Sequence, residues 1–359
     1  MKNKMKGLIL AGGCGRRLRP LTFSGAKQLI PVANKPIIFY GIEALVKTGI
    51  KELGIVVGET AKEIHDAVGT GEKWNIRITY IPQQAPLGLA HAIKISKDFL
   101  DDEPFIMYLG DNILKEGIED FVRQFENNKP NALILLTKVP NPQEFGVAVL
   151  DENSAVKQLI EKPKKPPSDL ALVGVYLFDS EVFTAIENIK PSWRNELEIT
   201  DAIQWLLDNR FSIESHMVKG WWKDTGKPDD IIEANLLVLE SIESVNNGRQ
   251  KDSKTNGRLR TEKGAAIEKS VVRGPVIIGK NAKITGSYIG PFSSIGDNAL
   301  IENSEIENSV IMAGAQIKNV EKRIDRSIVG KNVVISVTTQ SPRTHKFILG
   351  DQSYVQIIK

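Results

Sequence analysis

Between Gly264 and Val337 the chain repeats itself, and that repeat narrows the choice of fold more than any other feature. Ile278-Gly279, Ile289-Gly290, Ile295-Gly296 and Val329-Gly330 recur in a register of about six residues, with Ile301 and Ile317 in phase. One aliphatic side chain per six residues, followed by Gly and then Asn or a small residue, suits a triangular prism of stacked coils. The aliphatic group fills the inner corner and Gly or Asn turns the chain. The expected architecture is a left-handed parallel β-helix over 263–359 with its C-terminal tail. Its flat faces and end coils read first as a cap or a self-association surface, so a homo-oligomer is expected.

Ahead of the repeat the pattern is different. Gly7 to Ala11, Leu53 to Val57, Ile76 to Ile81, Phe105 to Leu109 and Ala132 to Leu136 are short, β-rich and apolar. Ile37 to Lys47, Ala61 to Val68, Ala90 to Asp98 and Ile118 to Glu126 carry apolar residues at helical spacing. Alternation of this kind predicts a mostly parallel α/β sheet with βα crossovers. A last helix over Asp230 to Glu240 closes a first domain of residues 1–240. Ser241 to Lys263 is polar, mostly basic and broken by Gly and Asn, so this stretch reads as a linker, over 241–262, or an irregular collar. Its Arg249, Lys251, Lys254, Arg258 and Arg260 are assigned to a solvated connection rather than to polyanion binding.

With 359 residues and 41% hydrophobic content the chain is long enough for two cores. A formal net charge of +3 gives no global field that would favour nucleic acid or a membrane surface. An anionic partner must therefore be held locally. The single cysteine, Cys14, excludes an internal disulfide and any multi-cysteine metal site, and it reads as a buried small filler. The apolar run after the basic amino terminus stops at Ala11, too short for a signal core or a membrane span. The expected compartment is the cytoplasm.

The first strand runs directly into Gly12-Gly13-Cys14-Gly15-Arg16-Arg17-Leu18-Arg19-Pro20, and open α/β sheets bind ligands where their strands end. Glycines let consecutive N–H groups converge on an anion, and arginines offer forked donors to phosphate. The loop matches neither the P-loop nor the Gly-x-Gly-x-x-Gly spacing. Read alone, it is equally a plain tight turn.

More motifs follow in order: Lys27-Gln28-Leu29-Ile30-Pro31, Pro82-Gln83-Gln84 through Leu87-Gly88-Leu89-Ala90, Leu109-Gly110-Asp111-Asn112, Phe145-Gly146-Val147, Glu161-Lys162-Pro163, Glu196 to Asp201, and Trp222-Lys223-Asp224-Thr225-Gly226. Together with the glycine loop they resemble the signature of sugar-1-phosphate nucleotidylyltransferases. The runs Arg323 to Ser327 and Pro342 to Asp351 resemble the long-form thymidylyltransferases of that family, so the likeness covers nearly the full length. It implies a Rossmann-like nucleotidyltransferase domain, Mg²⁺ as cofactor, and dTTP with α-D-glucose 1-phosphate as substrates. UTP, with glucose or N-acetylglucosamine 1-phosphate, is the alternative.

By that resemblance each residue takes a role. The sugar phosphate attacks the α-phosphorus in line, so cations must gather around the reacting phosphates. Arg17 and Lys27 hold the triphosphate and the departing pyrophosphate; Lys162 and Arg194 hold the attacking phosphate. Gly12, Gly13, Gly15, Arg16, Gln83 and Gly88 bind the nucleotide. Gly146, Glu161 and Val173 meet the sugar, and Asp111 and Asp224 hold Mg²⁺. Arg16 departs from the family, which has Thr or Ser there: it either forks onto the β- or γ-phosphate or swings into solvent. No histidine is needed as a base, because a phosphate oxygen is already anionic.

Other features read plainly. Thr200 and Asp201 are a helix cap and its first-turn acid. His65 and His91 sit in helical patterns without a catalytic task. An acetyltransferase, a class often built on such prisms, is disfavoured because the repeats from Gly264 to Val337 lack a histidine base, His345 lying beyond them. A non-catalytic regulatory subunit is disfavoured because Arg17, Lys27, Asp111, Lys162 and Asp224 are all present.

Overall fold

A computed structural model of the chain describes residues 5–337, 347 and 349–357. Most of the run Pro342 to Asp351, His345 included, lies outside the described residues. These divide into two compact units. The first comprises the segment ending at Cys14, Gly25–Leu29 and Ile37–Asp224; the second comprises Gly15–Ser24, Ile30–Pro36 and the chain from Thr225 onward.

The first unit is a nine-stranded mixed sheet of the Rossmann-like kind. Lys6–Ala11 lies between the parallel strands Glu52–Val57 and Phe105–Leu109, and Arg77–Pro82 extends this parallel half. Strand Leu170–Phe178 pairs antiparallel with Phe105–Leu109, Ala132–Lys138 and Gly146–Leu150, and Val156–Glu161 pairs antiparallel with Gly146–Leu150. Ile213–Met217 runs parallel to Ala132–Lys138. Only Leu170–Phe178 and Val156–Glu161 therefore run against the common direction. The strand residues Leu8, Ile9, Ile55, Val56, Ile106 and Met107 have no exposed surface, as expected for a sheet covered on both faces.

Helices form over Ile37–Lys47, Ala61–Val68 and Glu119–Asn128, close to the predicted spans. The stretch expected as one helix over Ala90 to Asp98 is two, Leu89–Lys94 and Lys97–Leu100. Ser96 separates them: it is buried, and its hydroxyl donates to the Ala92 carbonyl at 2.7 Å, a back-bond that bends helices. Thr200 is not a cap. The helix runs Ile199–Asp208 after Glu198, so Thr200 lies inside its first turn with its hydroxyl turned elsewhere, whereas Asp201 does sit in that turn.

In the second unit, three stacks of short parallel strands, six, six and five strands deep, form the faces of a prism consistent with a left-handed β-helix. Ile267, Ile284, Ile301 and Ile317 stack at one inner position, each fully buried, and Ile278, Ile295 and Ile311 stack at another. Seryl hydroxyls stack too: Ser270, Ser287 and Ser304 each present Oγ to the N–H of the next coil at 3.1–3.2 Å. Asn281, Asn298, Asn303, Asn308 and Asn332 turn the corners at positive φ, a backbone conformation that asparagine tolerates.

Residues 241–262, expected as a linker, form strands instead. Val245–Asn246, Arg249–Lys251, Lys254–Asn256 and Leu259–Thr261 pair in register with the coil above. Their charged side chains point outward, and the inner Thr261 satisfies its hydroxyl by donating to Asn246 Oδ1 at 3.1 Å. Helix Pro228–Leu239, expected in the first domain, groups with the prism. Its buried Asn235 accepts from the Ala33 N–H at 2.9 Å and donates to the Phe292 carbonyl at 3.0 Å. Among the described residues no helix is long and apolar enough to cross a membrane.

Candidate active site

The first strand delivers Gly12 and Gly13 to the end of the parallel half of the sheet. Gly12 passes close under the neighbouring strand end: a Cβ on Gly58 would stand 2.6 Å from the Gly12 carbonyl oxygen. A Cβ on Gly13 would approach Lys27 Nζ to 3.5 Å, so bare backbone and an ammonium share this spot. Cys14 is half-buried rather than buried. The loop continues through Gly15, at φ +63°, into the short turn Arg16–Leu18, which belongs to the second unit. There Leu18 is buried and the Arg16 and Arg17 side chains are exposed.

Lys27 donates to Asp111 Oδ2, and both side chains are largely buried. Burial alone would raise the Asp111 carboxyl. The charge and hydrogen bond of Lys27, with the Asn112 amide donating to Oδ1 at 3.1 Å, outweigh it and hold the group below the usual carboxylate range. Asp224 comes from far along the chain. Trp222–Asp224 pairs antiparallel with Asn112–Leu114, and in that register Asp224 stands opposite Asn112, the residue after Asp111. Trp222 Nε1 donates to Asn112 Oδ1 at 2.5 Å and so ties the ribbon together.

One carboxylate at the end of strand Trp222–Asp224 and another just before the strand paired with it suit a hard divalent cation that completes its oxygen shell from phosphate and water. Among the described residues no group of three or more His, Cys, Asp or Glu could hold a metal ion by itself. An ion here would lean on oxygens brought by a ligand.

A second cluster surrounds Arg194. In the hairpin formed by Gly146–Leu150 and Val156–Glu161, Gly146 pairs with Glu161. A Cβ on Gly146 would strike Thr200 Cγ2 at 2.6 Å and approach Glu161 Oε2 to 3.2 Å. Arg194 Nη1 donates to Glu161 Oε1 at 3.2 Å and Glu198 Oε1 at 3.4 Å, and Nη2 to Glu196 Oε1 at 2.9 Å. Lys162 Nζ lies 3.5 Å from the same Glu161 oxygen. Its backbone is held at φ +40°, a conformation costing a non-glycine residue about 1–3 kcal/mol. Burial raises the Glu198 carboxyl above its usual range, opposed by the Ser192 hydroxyl and by Arg194 and reinforced by Glu161 and Glu196.

Gln83 and Gly88 lie together past the end of Arg77–Pro82: Gln83 Nε2 is 3.4 Å from the Gly88 carbonyl oxygen. Gly88 has φ +107°, and a Cβ there would sit 2.3 Å from the Leu197 carbonyl oxygen. Val173 is fully buried in the core, which leaves only its backbone to meet a sugar.

Several residues to which motif reading gave no part in the site join it. Asn112 and Trp222 build the aspartate ribbon. Thr200 Oγ1 donates to Glu161 Oε2 at 3.1 Å, and Phe145 packs edge-on against Trp222 at 5.3 Å between ring centres. A Cβ on Gly174 would stand 2.7 Å from Asn112 Oδ1. Asn112, Trp222, Thr200 and Phe145 all stand inside the motifs, beside or near residues that were given roles, whereas Gly174 lies outside them.

A glycine-lined strand end, an ammonium beside acids and a carboxylate-braced arginine together fit phosphate chemistry. The chain belongs to the nucleotidyl transferase family, whose model matches residues 6–241. Within that class it is 49% identical over 354 residues, 98% of this chain and 99% of the other, to the glucose-1-phosphate thymidylyltransferase of Streptomyces griseus. It is also 49% identical, over 98% of this chain and all of the other, to the low-salt glycan biosynthesis nucleotidyltransferase Agl11 of Haloferax volcanii. A solved putative glucose-1-phosphate thymidylyltransferase from Bacillus anthracis, in complex with sucrose, matches with TM-score 0.63 and 36% identity, over 67% of this chain and 98% of that one.

Proposed function

We propose that this protein transfers a thymidylyl group from dTTP to α-D-glucose 1-phosphate, giving dTDP-glucose and pyrophosphate. The observation that carries this reading is the register that sets Asp224 opposite Asn112, one residue beyond Asp111 and beside Lys27. Relatives of nearly equal length bearing that activity's name support the choice of substrates.

The sugar phosphate oxygen that attacks is already anionic, so no side chain has to remove a proton. Positioning and charge neutralisation carry the rate. Lys162 and Arg194 hold the attacking phosphate. Glu161 orients both cations and accepts from sugar hydroxyls, with Gly146 and the Val173 backbone lining the sugar. Arg17, Arg16 and the N–H groups of Gly12, Gly13 and Gly15 grip the triphosphate. Lys27 turns from Asp111 to the phosphates as the nucleotide enters, and its charge then stabilises the departing pyrophosphate. Asp111 and Asp224 would hold Mg²⁺, which when bound neutralises phosphate oxygens at the reacting centre. Gln83 and Gly88 meet the pyrimidine edge.

Pyrophosphate release measured with dTTP and UTP against glucose 1-phosphate and N-acetylglucosamine 1-phosphate tests the assignment. The dTTP and glucose 1-phosphate pair is expected to give the highest kcat/KM, with some use of UTP because one methyl-sized contact discriminates by only about 1–3 kcal/mol. A rate with UTP far above that with dTTP would overturn the nucleotide choice. Asp111→Ala is expected to cost at least about 10²–10³ in kcat, the scale of losing one charge-stabilising group.

A further inference from the structure

His91, a residue without a catalytic task in the mechanism above, touches the one side chain assigned to reading the base. Gln83 Nε2 lies 3.4 Å from the Gly88 carbonyl oxygen and 3.1 Å from His91 Nδ1. On its other side, Gln83 Oε1 turns to Gly12, where a Cβ would come within 3.0 Å of it. A backbone carbonyl can only accept, so the amide must face Gly88 with its NH₂ group. His91 Nδ1 is then also an acceptor, and the imidazole carries its proton on Nε2. Burial, with the Lys94 ammonium nearby, lowers the His91 imidazolium below its usual range, which favours this uncharged form.

We propose that His91 is a positioning residue for base selection: by accepting from Gln83 Nε2 it locks the amide with Oε1 turned to the nucleotide. A carbonyl in that place accepts the N3–H shared by thymine and uracil. It opposes cytosine, whose N3 is itself an acceptor. Gly88 alone is a weak lock at its longer distance. Without His91 the amide rotates, and its NH₂ edge then pairs as readily with cytosine. This inference rests on the reading that Gln83 meets the pyrimidine.

The full-length protein tests it with His91→Leu, which suits a helix but cannot accept a hydrogen bond, and His91→Asn, whose Oδ1 can take the place of Nδ1. Pyrophosphate release is followed with dTTP, UTP and dCTP at saturating glucose 1-phosphate. His91→Leu is expected to raise KM for dTTP and UTP about tenfold, the loss of a well-placed hydrogen bond, with kcat nearly unchanged. The dTTP to dCTP ratio of kcat/KM should fall at least as far, and His91→Asn should restore most of both. A purely structural role would lower kcat and the folding midpoint without moving the nucleotide ratio. An active His91→Leu with the parent's ratio, or a His91→Asn no better than His91→Leu, would overturn the proposal alone. A parent enzyme that turns over neither dTTP nor UTP would instead overturn the reading beneath it.

Discussion

Removing Arg194 should make stability depend on pH in a definite direction. Its guanidinium lies within 3.4 Å of Glu161, Glu196 and Glu198, and the Glu198 side chain is only 4% exposed. Arg194→Ala takes the guanidinium from three acids at once, leaving Glu161 with Lys162 and Thr200, and Glu198 with the Ser192 hydroxyl. The cost at neutral pH should be about 2–4 kcal/mol, the range for breaking a buried ion pair, lowered because the Arg194 side chain is 24% exposed. Burial already raises the Glu198 carboxyl, and loss of the arginine raises it further. A folded state whose carboxyl has the higher pKa binds more protons than the unfolded chain between the two values. Stability is therefore greatest below the unfolded value, about 4.3, and falls as pH rises through the folded one. Urea unfolding of parent and variant at about pH 5 and pH 8 should show a deficit that is small at the lower value and fully developed at the higher. Adding Glu198→Gln to Arg194→Ala should recover part of the loss at pH 8. A deficit equal at both pH values, or no recovery in the double variant, would refute the electrostatic account of this cluster.

Gly88→Ala should destabilise the protein by about 1–3 kcal/mol from its positive φ alone, and by more because the new Cβ would stand 2.3 Å from the Leu197 carbonyl oxygen. Thermal unfolding should register it as a lowered midpoint, and an unchanged midpoint would mean that the loop adapts freely. Ile284→Ala, at a fully buried position inside the prism, should cost about 2–5 kcal/mol in the same measurement, as cavity-forming substitutions do. A loss below about 1 kcal/mol would mean the corner is not packed as described.

Much of this architecture was legible in the sequence because two periodicities are written into it. Helices such as Ile37–Lys47 and the aliphatic corners at Ile278, Ile295 and Ile301 obey local rules that tertiary packing did not override. The first coil of the prism hid because an end coil has a neighbour on one side only. Its strands 249–251 and 254–256 are wholly exposed, Asn246 stands in the column that later coils fill with Ile or Val, and the coil above it places Thr261 there. The break at Ser96 depends on one buried hydroxyl turned back to Ala92, which composition does not reveal.

The site shows the same division. Motif order singled out Asp111 and Asp224 although 112 intervening residues follow Asp111, but only strand pairing supplies their proximity. Thr200 reads as a cap by the local rule that Thr before Asp starts a helix. Its actual partner, Glu161, lies 39 residues earlier and is reached through the hairpin. Asn112, Trp222 and His91 act on other side chains rather than on a ligand, and such contacts have no short-range signature.

If Asp111 and Asp224 share one divalent ion, as proposed above, counting bound Mn²⁺ will show it. In the presence of a non-hydrolysable dTTP analogue, the parent protein should bind a single ion per active site by electron paramagnetic resonance. Asp111→Asn and Asp224→Asn should each weaken that binding at least about tenfold, while the double variant loses little more than either, as expected for ligands acting as a unit. An Asp224→Asn protein that binds Mn²⁺ as tightly as the parent would contradict the shared ion.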